Sequence, residues 1–227
     1  MHAFSEQFLA AVDKSTVVDR AMAQLPADAA EVMAIQRQNI DALGGPGGWK
    51  VTPWIEGVPM STAPIPARWI RPSGATIPMV EGLLLEVELA LSRTADGNYL
   101  LLPVFELVLR RLDPKSDWPE LAKQAGLMST DGMVLGTPRP MPSADIAELP
   151  IVLTQGDGSQ VRINTPLDRT ALLKAAEFVT DYATQLGHPL QAGTVVTTGA
   201  RIGPIPVLSG RTSVDMADLG TVEFQTA

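Results

Sequence analysis

The feature that most narrows the possible folds is a pair of apolar runs, each interrupted by acid: Leu83-Leu84-Leu85-Glu86-Val87-Glu88-Leu89-Ala90-Leu91 and Leu100-Leu101-Leu102-Pro103-Val104-Phe105-Glu106-Leu107-Val108-Leu109. Side chains alternate across a strand, so Glu86 and Glu88 share one face of the first run while Leu85, Val87 and Leu89 share the other. Ala95-Asp96-Gly97-Asn98 supplies a turn between the runs, predicting an antiparallel hairpin in which Glu106 is placed to pair with the first strand. Ionised carboxylates gathered among apolar side chains repel one another and lose hydration unless a cation or a cationic side chain sits between them. Mg²⁺ or Mn²⁺ satisfies that demand, because these hard ions take a few carboxylate oxygens and leave other positions to water or substrate. A Glu-x-Glu pair on the wet face of a strand, with no ligand, is the commoner occurrence and would be favoured for Glu86 and Glu88 alone. Glu106 shifts the balance, since an isolated acid in so apolar a strand is expensive.

The remaining composition excludes several other chemistries. A net charge of -8 and a sequence pI near 4.7 argue against a nucleic-acid partner, which needs clustered Lys and Arg. The chain has no cysteine, so disulfides, thiolate metal sites and a cysteine nucleophile are unavailable, and His2 and His188 are too few and too poorly placed for zinc. Gly44 to Gly48 lacks the Lys-Ser or Lys-Thr ending of a phosphate-binding loop and reads as a hinge or lid base. No hydrolase triad is supportable. The start of the chain lacks a signal-peptide pattern and no apolar run approaches membrane-spanning length, which predicts a cytoplasmic protein without a membrane partner.

With 227 residues and 45% hydrophobic content, the chain has material for one sizeable core. Helical spacing from Ser5 to Leu43 predicts two helices separated by Pro26-Ala27-Asp28, with Asp28 an N-cap. Beyond the glycine run, strands are expected at 49–54, 82–92, 99–109, 132–137, 151–154, 161–164, 194–199 and 222–224. Gln155-Gly156-Asp157-Gly158 predicts a second hairpin, and residues 168–186 form the one further helix, ended by Gly187. Pro138 to Pro142 reads as a stiff connector. The organisation expected is α+β: an N-terminal helical segment, residues 1–44, and a compact, mixed, curved β-roll over residues 45–227 with the long helix packed outside it.

The order of several stretches resembles a known family. Ala34-Ile35-Gln36, Gly48-Trp49-Lys50-Val51, Glu86-Val87-Glu88-Leu89-Ala90, Phe105-Glu106-Leu107-Val108, Gly132-Met133-Val134-Leu135-Gly136 and Leu190 to Gly199, followed by Leu219-Gly220-Thr221-Val222, are similar to the 2-keto-4-pentenoate hydratases and 4-oxalocrotonate decarboxylases of aromatic meta-cleavage pathways, within the fumarylacetoacetate hydrolase superfamily. The resemblance implies Mg²⁺ or Mn²⁺ on Glu86, Glu88 and Glu106, a catalytic Lys50, and substrate contacts from Thr198 and Gly199. It implies a lyase that hydrates or decarboxylates a small 2-oxo acid through an enolate, and a homo-oligomer. Beside a bound cation, the charged form of Lys50 would be disfavoured, suiting it to act as a base.

Departures cluster around the expected substrate pocket. Thr52-Pro53-Trp54-Ile55 replaces a Gly-Leu-Thr-Ser-like run, Leu109-Arg110-Arg111 an Asp-Ser-Arg, and Ala122-Lys123-Gln124-Ala125 an Ala-Asp-Asn-Ala-like stretch. The acid of a Pro-Asp-Phe-Gly-like loop has no match near Pro64 to Gly74, and the connection between the second and third acids is short. These differences leave open an altered substrate, a carbon-carbon hydrolase of acylpyruvate type, or a catalytically degraded member acting as a binding or complex subunit.

Overall fold

A computed structural model describes residues 1–227 as an α+β protein in which two β-sheets and their flanking helices share the chain. The N-terminal part contains α1 (Ala3–Lys14) and α2 (Ala29–Ala42). Asp28 caps α2 as expected, accepting from the Glu31 amide, and Glu31 returns the bond by accepting from the Ala27 amide. The first helix stops earlier than its apolar spacing predicts: Ser15 turns left-handed at φ 52°, and Val18 leaves the helix to bridge Leu112. Val18 remains buried in the cluster formed by Phe4, Phe8 and Trp118, so helical spacing persists where the chain follows the same core irregularly.

Thirteen strands follow. β1 (Pro46–Val51) and β2 (Thr62–Pro66) form an antiparallel pair, and β3 (Ile70–Pro72) and β4 (Ala75–Ile77) are short. β5 (Leu84–Arg93) and β6 (Tyr99–Val108) make the expected hairpin, and β7 (Thr130–Leu135) and β8 (Arg139–Pro140) pair with β6. The second hairpin is β9 (Ile146–Thr154) with β10 (Gln160–Leu167), and the chain ends on β11 (Val195–Pro206), β12 (Arg211–Asp215) and β13 (Thr221–Thr226). Between them lie a short α3 (Glu120–Ala125) and the long α4 (Arg169–Leu186), capped by Asp168 and ended by left-handed Gly187. Only one helix was expected after the glycine run; α3, six residues long, carries too little periodicity to announce itself. β2, β3, β4, β8 and β12 also escape the sequence pattern, because proline or a length of two to five residues obscures the alternation.

The larger sheet runs β2-β1-β11-β5-β6-β7-β3, with β8 beside β6, and the smaller runs β10-β9-β12-β13-β4. Leu85, Val87, Leu89, Leu101, Phe105 and Leu107 of the larger sheet meet Ile151, Leu153, Val214, Val222 and Phe224 of the smaller one in the main core. The opposite face of the larger sheet curls on itself: Ile65 of edge strand β2 packs with Leu102, Val104 and Met133 of β6 and β7. Gly44 to Gly48 is not the hinge expected from its composition. Pro46 to Gly48 are strand residues, and Gly47 and Gly48 let Ala67, Ile70 and Met133 approach where a Cβ would lie 2.5–2.9 Å from them. No helix is long and apolar enough to cross a membrane.

Candidate metal centre

The hairpin register sets the acids directly. Glu86 lies opposite Glu106, and Glu88 opposite Val104, so all three side chains project from the face away from the main core. One ligand oxygen from each of Glu86, Glu88 and Glu106 lies within 4.8 Å of the others. Glu106 is fully buried, Glu88 is 2% exposed, and Glu86 stands at the partly open edge.

Curling brings the fourth member of the group. Lys50 of β1 and Glu106 of β6 are three strand intervals apart in the sheet, about 14 Å if it were flat. In the curled sheet Lys50 Nζ donates to Glu106 Oε1 at 2.6 Å and to the Met128 carbonyl at 3.1 Å. That carbonyl is aimed by an unusual turn: Leu127, Met128 and Ser129 all have left-handed backbone, at φ 56°, 51° and 62°. Each conformation costs a side-chain-bearing residue about 1–2 kcal/mol, opposed in part by the complete burial of Leu127. Sequence reasoning missed this turn because none of its residues is the Gly, Asn or Asp that normally marks left-handed backbone.

Thr198 and Gly199, the residues expected to touch substrate, support Glu88 in this structure. Their backbone N–H groups donate to Glu88 Oε2 at 3.0 and 2.7 Å, and the Thr198 hydroxyl donates to the Leu89 carbonyl. Gly199 can do this because it has φ 96° and lies so close to Pro53 that a Cβ would stand 2.3 Å from the proline Cγ. Thus the strand β11 fixes one oxygen of Glu88 and frees the other.

The electrostatics reflect crowding. Burial, with Glu106 and Glu86 beside it, pushes the Glu88 carboxyl up to about 8 from an ordinary 4.5, against the opposing effect of Lys50. Burial and Glu106 raise Glu86 as well. Burial works to lower the Lys50 pKa, yet Glu106, joined by Glu88 and Glu86, outweighs it and holds the ammonium above its ordinary 10.5. With the acids as its charged neighbours, Lys50 therefore shifts in the direction opposite to that expected beside a cation. The second oxygen of Glu106, Oε2, is buried without a hydrogen-bond partner. A buried carboxylate oxygen lacking a donor, amid two further carboxylates, fits a hard oxygen-seeking cation.

The tryptophans near the sheet and His188 have structural surroundings. Trp49 is buried in the cluster that joins α2 and α4, Trp54 lies against the Lys174 ammonium at 3.9 Å, and Trp69 lies beneath Arg111, which also pairs with Asp131. His188 contacts Asp41 at 2.7 Å, tying the turn after α4 to α2.

No family model matches the sequence, and no curated protein matches it. Solved structures do. The chain is similar to 4-oxalocrotonate decarboxylase from Pseudomonas putida G7 complexed with magnesium and adipate, at 17% identity and a TM-score of 0.79 over 99% of this chain and 96% of that one. It is similar to 2-keto-3-deoxy-D-arabinonate dehydratase complexed with magnesium and 2,5-dioxopentanoate, at 14% identity and a TM-score of 0.54, covering 99% and 89% of the two chains. A third likeness is 2-hydroxyhepta-2,4-diene-1,7-dioate isomerase from Mycobacterium marinum, at 16% identity and 0.53 over 79% and 73%. The chain has the fold of the fumarylacetoacetate hydrolase superfamily.

Proposed function

We propose that this protein is a divalent-metal-dependent lyase of the fumarylacetoacetate hydrolase superfamily, a hydratase or decarboxylase of a small 2-oxo acid. The observation that carries the reading is the convergence of Glu86, Glu88 and Glu106 within 4.8 Å, with Lys50 Nζ at 2.6 Å from Glu106. Neighbours of the same fold whose structures hold magnesium with a small acid support it. Glu86, Glu88 and Glu106 would hold Mg²⁺ or Mn²⁺. When bound, the ion would supply Lewis acidity to the carboxylate and adjacent carbonyl of a 2-oxo acid, favouring its enolate.

This chain's own residues do the rest. Thr198 and Gly199 amides orient Glu88, and Pro53 packs against Gly199 from the loop between β1 and β2. Lys50 Nζ, held by the Met128 carbonyl, would deliver or remove a proton on the carbon skeleton. Hydration, decarboxylation and carbon-carbon cleavage all draw on that proton transfer, and product analysis on a panel of 2-oxo acids separates them.

The test is calorimetric titration with Mg²⁺ or Mn²⁺, followed by oxalate, a mimic of the enolate. Saturable binding of the ion, then of oxalate only in its presence, is expected; Glu86→Gln combined with Glu88→Gln should abolish both. Protein that binds neither ion and acts on no 2-oxo acid would instead be a binding or complex subunit.

The cradle around Glu88 gives a second expectation. Gly199→Ala changes no ligand, but its Cβ must displace Pro53 or the strand whose amide serves Glu88. Mg²⁺ affinity is expected to fall by about 10- to 100-fold, as for other losses of a group that orients a ligand. Titration would read it directly, and an affinity equal to that of the parent chain would show that the amide contact does not matter.

A further inference from the structure

One cation whose charge reaches the acid cluster has no part in the roles above. Arg201 lies at a break in the pairing of β11 with β5: Ala200 pairs with Glu88 and Ile202 with Val87, leaving Arg201 as the extra residue of a bulge. Ile202 turns into the main core, while Ala200 stands opposite Glu88 on the acid face. Bulges of this kind re-aim a side chain beside a site.

Arg20, Arg111, Arg169 and Arg201 each bury Nε without an acceptor, and of these four it is Arg201 that feels the charge of Glu88. Arg201 is only partly exposed, and it takes part in none of the ion pairs of the chain. Burial lowers its pKa, and the charge of Glu88 opposes that fall, so Arg201 and the acid cluster feel each other. Arg111, the other arginine drawn into the protein beside this sheet, has Asp131 as a partner and an aromatic ring beneath it. A guanidinium has five donors in a fixed fork and no way to shed its charge, so burying part of it unpaired is costly unless an anion completes it.

Glu86, Glu88 and Glu106 balance a divalent ion and Arg201, and the proton that Lys50 gains or gives up in turnover adds the one positive charge that an anionic acid would match. Lys50 keeps Glu106 and the Met128 carbonyl, whereas the buried Nε of Arg201 has no acceptor. We propose that Arg201 is the specificity residue of this site, pairing through its guanidinium with a carboxylate of the bound acid. The inference rests on the proposed 2-oxo acid reading and adds to it the group that makes the site demand an anion. The head carboxylate next to the oxo group is the first candidate, because Arg201 is next to Glu88 in the register; a carboxylate at the far end of the substrate is the other source of the same chemistry.

The test compares Arg201→Gln and Arg201→Lys with the parent protein by calorimetry, using Mg²⁺ alone, then oxalate, 2-oxohexanoate and 2-oxoadipate in saturating Mg²⁺. Removing a cation beside Glu88 should leave Mg²⁺ affinity unchanged or raise it, while acid binding falls by about 10- to 100-fold, and Arg201→Lys should recover part of the loss. A merely structural role would weaken ion and acid together, which would overturn the proposal. Loss for all three acids assigns Arg201 to the head carboxylate; loss confined to 2-oxoadipate assigns it to a distal one. If the parent binds Mg²⁺ and oxalate and both variants bind all three acids equally well, the inference fails while the metal-site reading stands. If the parent protein binds neither Mg²⁺ nor oxalate, the reading beneath it fails and takes the inference with it.

Discussion

Above pH 8 and in the presence of EDTA, the Glu88→Gln protein is expected to be more stable than the parent chain by on the order of 3–5 kcal/mol. The cause is the raised pKa of Glu88, pushed from 4.5 to about 8 by burial and by Glu106. Below pH 4.5 the carboxyl is protonated in both folded and unfolded chains and the raised value has its full stabilising effect relative to higher pH. Between about 4.5 and 8 the unfolded chain gives up that proton readily and the folded one resists, so stability falls as pH rises and the contribution is gone above 8. Glu86, raised for the same reason, adds to the slope in the same direction. The Lys50 shift acts only above 10.5 and leaves this window untouched. Glutamine keeps an oxygen for the Thr198 and Gly199 amides, so the substitution removes the charge while preserving the contacts. Urea unfolding at several pH values between 5 and 9 would give the two slopes. Mg²⁺ should recover the parent's lost stability and leave the variant little changed; parallel slopes for the two proteins would refute the account.

The acid cluster was legible because two simple periodicities carry it. Alternation in residues 84–91 fixes Glu86 and Glu88 on one face, and a turn at Ala95 to Asn98 pairs the strand of Glu106 with theirs, the register then setting Glu106 opposite Glu86. Lys50 was reached differently. Nothing in its local sequence distinguishes it from a surface lysine after a glycine run, and only resemblance pointed to it; the structure joins it to Glu106 through curling of the whole sheet, a property no local window contains. The left-handed turn at Leu127 to Ser129 has no signal in residue type, since its geometry is imposed by Leu127 packing and by the bonds its carbonyls accept from Lys50 and Leu109. Arg201 left a trace that was overlooked: it is the lone charge between the apolar residues of β11, where a charge needs a reason. In the N-terminal part, helical spacing beyond Lys14 was a false signal because burial against one core can repeat every three or four residues without a helix.

Lys50→Met should separate chemistry from ion binding more sharply than any other substitution. Methionine fills much of the same space in a site where Lys50 is only 9% exposed, and it cannot carry a proton. Turnover of the accepted 2-oxo acid is expected to fall by about 10²- to 10⁴-fold, the usual contribution of a positioned acid or base. Mg²⁺ affinity should stay level or rise, because the cation that competes for Glu106 is gone. The variant should be the less stable protein in EDTA, by about 3–5 kcal/mol, since Glu106 is fully buried and loses its only charged donor. The two effects have one origin. Glu106, Glu88 and Glu86 hold the Lys50 proton, while burial favours its release, so when those carboxylates are engaged by another cation the balance at Nζ moves towards the neutral amine. Lys50 would then be a base during turnover and a counter-ion at other times. Steady-state kinetics, titration and urea unfolding of one variant test both roles: a parallel loss of turnover and Mg²⁺ affinity would reduce Lys50 to a structural counter-ion.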